Sequence, residues 1–160
     1  MLFQLRSRPR KPSRTAIVCL AGAAIFFLFE CSGLHFPIWN AKGRLDKHLT
    51  DDLGLSLPPG SKVTHAISIA YRDPGECYAL EIPQAAVAPF IAAVRAAGTD
   101  SQDLDPAYPW HFGYRVPSWW KPQSLPQPER LNTYHNDKFG GYEWFYSPTS
   151  STVYVFWFRT

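Results

Sequence analysis

The sequence predicts an α+β fold: an N-terminal transmembrane helix, then a two-layer domain in which an antiparallel sheet of two hairpins packs on one or two helices. Three observations predict it. Period-two and aromatic runs at residues 63–82 and 142–158 read as strands, apolar stripes at helical spacing read as helices, and a charge-free stretch follows a basic start. A chain of 160 residues with 46% hydrophobic and 18% charged residues has the composition of a packed domain and shows no strict repeat.

Residues 1–14 carry Arg6, Arg8, Arg10, Lys11 and Arg14 and no acid, and Thr15 to Phe29 carry no charge at all. Basic, then apolar, is the pattern of an export signal or signal anchor. As a helix the fifteen uncharged residues cover roughly 22 Å, short of a ~30 Å hydrocarbon core, so the expected span is residues 15–38. Lys and Arg stay on the cytoplasmic side, which places residues 1–14 inside and the domain of residues 39–160 in the periplasm or outside the cell. Two alternatives export the same domain: cleavage after Gly33, or lipidation at Cys31, where Glu30 replaces the usual small residue. Trp39 falls just past the span, at headgroup level.

The net charge of +3 belongs to the tail, because the rest of the chain holds 11 bases against 13 acids. A nucleic-acid partner is therefore not expected, since phosphate binding needs a basic face. Only Cys77 falls within the folded part. With no second thiol and no activating base beside it, a buried, inert role is expected.

In the exported part, Leu45, Leu49 and Leu53 stand four apart on a short helix that Gly54 caps. Residues 63–71 alternate, with Val63, His65, Ile67, Ile69 and Tyr71 on one face; Tyr78, Leu80 and Ile82 alternate after the Asp73-Pro-Gly75 turn. This predicts a hairpin. Val87, Phe90, Ile91 and Val94 form the stripe of a second helix stopped by Gly98, begun either at Pro83, where Pro89 would kink it, or nearer Val87, which leaves Pro89 in the first turn. Tyr142–Tyr146 and Thr152–Phe158 predict a second hairpin, and the last strand, apolar on both faces, is expected at the centre of its sheet.

Between the hairpins, residues 99–141 hold six prolines and three tryptophans without a sustained period, which predicts a long irregular insertion. Trp110, Trp119, Trp120 and Lys121 supply flat apolar faces with a nearby donor, the chemistry that holds a peptide, a sugar ring or another flat ligand. The competing use of these rings is to cover the open face of the sheet. His135 and Asp137, with His111, are the best case for a catalytic cluster, and they would have to converge by folding. No metal, nucleotide or nucleophile motif is complete, so neither a cofactor nor a metal is expected.

Leu57-Pro-Pro-Gly60 before a hairpin, the Pro-led Ala-rich helix, Trp119-Trp-Lys-Pro122 and the closing aromatic hairpin resemble, over about residues 53–158, small uncharacterised bacterial membrane-anchored or secreted proteins. No activity comes with that resemblance. The function expected is a single-pass, inner-membrane, envelope-facing, non-enzymatic protein that binds an envelope protein, peptide or glycan through Trp110, Trp119, Trp120 and Lys121. The alternative is a small envelope hydrolase or transferase using His111, His135 and Asp137.

Overall fold

The computed structural model describes residues 34–70, 75–99, 102–104, 117–134 and 140–159, all within a unit spanning residues 33–160. The basic tail and the apolar stretch up to residue 33 lie outside the described residues. Among the described residues no helix is long and apolar enough to cross a membrane.

Among the described residues, seven strands and two helices follow one another as β1 (Leu34–Pro37), α1 (Ala41–Leu53), β2 (Lys62–Ala70), β3 (Gly75–Glu81), α2 (Gln84–Ala97), β4 (Gln102–Leu104), β5 (Glu129–Tyr134), β6 (Gly140–Tyr146) and β7 (Thr152–Arg159). They form one sheet in the order β1-β2-β3-β7-β6-β5-β4, every pair antiparallel. The α+β fold is as the sequence predicts, and both hairpins, β2–β3 and β6–β7, are present. β7 sits in the middle of the order, where a strand apolar on both faces belongs.

Leu45, Leu49 and Leu53 of α1 and Val87, Phe90, Ile91 and Val94 of α2 bury themselves on one face of the sheet, against Tyr78, Leu80, Tyr142, Trp144, Val153 and Val155. Burial of a leucine is worth about 1.5–3 kcal/mol, so the three on α1 fix that helix to the sheet. Gly54 ends α1 in the left-handed region at φ 67°, and the Leu55 N–H donates back to the Leu49 carbonyl at 3.1 Å. A glycine enters that region without steric cost, which is why the helix stops there.

Four expectations need correction. The last positions of the span assigned to residues 15–38 are not helical: Leu34–Pro37 pair with Ile67–Ala70 as an edge strand, the kind of strand, and here its last position, where proline is tolerated. Second, the 99–141 insertion is not irregular throughout, since β4, a 3-10 turn at Pro122–Ser124, β5 and the first residues of β6 lie in it. Third, β2 does not alternate along its whole length. The register shifts between Val63 and His65, so Val63 packs on the helix side while Ile67 and Ile69 face the other way; Thr64, the extra residue, donates its hydroxyl to the Ala79 carbonyl at 3.1 Å.

Fourth, α2 takes the earlier of its two starts, at Gln84, so Pro89 lies inside the helix and not in its first turn. There it removes one backbone hydrogen bond and crowds the carbonyl four residues earlier. Pro89→Ala is expected to stabilise the protein by roughly 1–3 kcal/mol, the lower end reflecting the freedom that proline removes from the unfolded chain. The midpoint of urea unfolding checks it.

Candidate functional site

The sheet face opposite the helices carries the aromatic segment. A row of side chains runs across it in register: His65 on β2, Ala79 on β3, Tyr154 on β7, Phe145 on β6 and Arg130 on β5. Ala79 is the small member of the row and belongs to the same buried cluster as Trp120. Trp120 is 5% exposed and meets Tyr154 and Phe145 edge-on, with centroids at 5.4 and 5.9 Å. Leu125 joins the same cluster with Ile69, Cys77 and Phe156.

Tight turns hold these residues down. The Trp120 N–H donates to the Pro117 carbonyl at 2.9 Å, and the Ser124 and Leu125 N–H groups donate to Lys121 and Pro122 carbonyls. Because Trp119 and Trp120 are adjacent in a turn, they point to different places. Trp119 stays half-buried and stacks on the exposed His65 ring, with centroids 5.2 Å apart and planes 16° from parallel. Lys121 is exposed beside them. The expected binding set thus divides into a root, Trp120, and a surface ledge of Trp119, His65 and Lys121. Trp110, His111, His135 and Asp137 lie outside the described residues.

Comparison with protein-family models, curated proteins and solved structures finds no match to this chain.

A second polar arrangement, not singled out from the sequence, lies under α1. Arg44, His48 and Asp52 stand at i, i+4 and i+8, a stripe beside the leucines, and face Glu76, Trp157 and Tyr142, which lie side by side on β3, β7 and β6. His48 lies flat on Trp157 at 4.1 Å, and its Nε2 is 3.1 Å from Glu76 Oε2. Asp52 accepts hydrogen bonds from the Tyr142 hydroxyl at 2.9 Å and from Trp157 Nε1 at 3.3 Å. Tyr78 donates its hydroxyl to Glu76, and Arg44 forms an ion pair with it.

Glu76 is 1% exposed. Burial alone would raise its pKa, but the hydrogen bonds from His48 and Tyr78, with the charge of Arg44, overcome this and hold the carboxyl below its ordinary value. An ionised Glu76 only accepts, so the proton of His48 that faces it sits on Nε2. A carboxylate that orients an imidazole is half of an acid–base device; here Glu76 Oε2 is taken by His48 and Tyr78, and Oε1 faces Arg44. Among the described residues no group of three His, Cys, Asp or Glu side chains is placed to hold a metal.

A group whose folded pKa is lowered gives stability that is present above its unfolded value and lost as pH falls through the folded one. Glu76→Gln is therefore expected to cost about 1–3 kcal/mol at neutral pH and to flatten the acid side of the stability profile. Chemical denaturation across acid pH checks both parts.

On the open face, Arg130 donates to Glu143 Oε1 at 2.6 Å, both side chains buried, and the guanidinium lies 5.4 Å from the Phe145 centroid. Glu143 Oε2 and, on the neighbouring strand, Asn132 Oδ1 accept no hydrogen bond from the described residues. Burial pushes the Glu143 carboxyl above its ordinary value, and the hydrogen bond and charge of Arg130 offset only part of that rise. Cys77 is buried, and burial, with the nearby Glu143 charge, pushes its thiol far above the reactive range.

Proposed function

We propose that this chain is a membrane-anchored, envelope-facing binding protein without enzymatic activity, whose domain engages a protein, peptide or glycan of the cell envelope. The observation that supports this reading is the stacked pair of Trp119 and His65, a flat ring surface at the protein's exterior with the Lys121 ammonium beside it. Two parallel rings offer apolar area to a sugar ring or a proline-rich backbone, and the lysine offers a donor or a charge. The root below the ledge is rigid, because Trp120 is wedged into the sheet's second core. A preorganised surface loses little conformational entropy on binding.

In the full chain, Trp119→Ala is expected to unfold within about 1 kcal/mol of the unsubstituted protein, since the ring is half-exposed. It is also expected to lose the envelope component that the unsubstituted chain co-purifies from detergent-solubilised membranes. Retention of that component by a folded Trp119→Ala protein would overturn the reading.

A further inference from the structure

Large apolar side chains are well hidden among the described residues, with two exceptions: Phe36 is 44% exposed and Trp39 is 90% exposed. They lie three residues apart at one corner, on the edge strand β1 and in the turn that leads into α1. The turn is built to turn one residue in and the next out. Ile38 packs against the helix-side core, Trp39 follows it, and Asn40 takes a left-handed conformation at φ 51° to start α1. An indole left almost wholly in water forgoes a burial worth a few kcal/mol.

The chain itself says what meets this corner. The charge-free stretch ends at Phe29, five positions before β1 begins, so Phe36 and Trp39 follow seven and ten positions after a segment that a bilayer would accept. Tryptophan is the side chain enriched at the depth where headgroups meet acyl chains, because its ring is apolar and its N–H is polar. The first turn of α1 carries Lys42 and no acid; Lys42 pairs with Asp46 one turn further on, so lipid contact here is a matter of the two exposed rings and not of charge.

We infer that the β1–α1 corner is a lipid-contact surface, with Trp39 and Phe36 seated in the headgroup region of the leaflet facing the domain. The inference rests on the anchor reading above and adds a second, peripheral contact to it.

The test uses the full chain in vesicles of phosphatidylcholine and phosphatidylglycerol, with bromine on the lipid acyl chains near the headgroup as a quencher of tryptophan emission. Flotation of the vesicles is scored on the same samples. Trp39→Phe is compared with the unsubstituted protein, and Trp119→Phe serves as the control. The expected result is that Trp39→Phe floats but loses roughly half or more of the quenched emission, while Trp119→Phe keeps it. Equal quenching in a Trp39→Phe chain that still floats would overturn the lipid-contact inference and leave the anchor standing. Failure of the unsubstituted chain to float would overturn both.

Discussion

Trp120→Ala is expected to destabilise the protein by about 3–5 kcal/mol, the usual cost of emptying a buried tryptophan site. The ring is 5% exposed and bridges the turn segment to Tyr154 and Phe145. Its removal leaves a void in the buried cluster it shares with Ala79, Phe145, Tyr154 and Phe156. It also cuts the attachment of Pro117–Leu125 to the sheet, so the loss includes part of Leu125's burial in the same cluster. Denaturant unfolding of the two alanine variants separates the rings: a large loss for Trp120 and a small one for Trp119. Similar losses at both positions would mean that the ledge is core.

Arg130→Met is expected to cost about 3–5 kcal/mol at neutral pH, because it leaves Glu143 as an unpaired buried carboxylate. The pH dependence gives the mechanism. Burial holds the Glu143 carboxyl above its ordinary value, so the folded chain binds that proton more tightly than the unfolded chain does. Stability from this group is therefore greatest at acid pH and falls as pH rises through the carboxylate range. Removing Arg130 steepens that fall, so the gap between variant and unsubstituted protein is expected to be smaller at about pH 4 than at about pH 7. Adding Glu143→Gln to Arg130→Met is expected to recover much of the loss at neutral pH, since the buried charge is then gone. A gap independent of pH would assign the cost to packing on Phe145.

Elements whose buried side chains are apolar were legible in the sequence. The leucines of α1, the Val87–Val94 stripe of α2 and the two-sided apolar pattern of β7 read directly, because hydrophobic period and burial coincide there. β5 was not legible: Glu-Arg-Leu-Asn-Thr-Tyr reads as a polar loop, yet Arg130, Asn132 and Thr133 are buried, the first by its ion pair with Glu143. Polar burial depends on partners distant in sequence, and no local period announces it. The bulge at Thr64 was hidden for a related reason, since alternation continues on either side of it.

The site was legible in part. The Trp119-Trp120 pair stood out as chemistry-bearing, but which ring faces inward depends on the Pro117–Trp120 turn and on the buried cluster that Trp120 joins. The Arg44, His48, Asp52 spacing was a readable signal, beside the leucines at the same interval. Their role was not readable, because it depends on Glu76, Tyr142 and Trp157 meeting in one row from three different strands.

That the sheet domain is delivered across a membrane, away from the basic tail, is tested most directly by two reporters fused in turn to Thr160 of the full chain. One is active only in an oxidising, extracytoplasmic compartment and the other only in the cytoplasm. Activity of the first alone is the expected result; activity of the second alone would contradict export and, with it, an envelope partner for the Trp119 ledge.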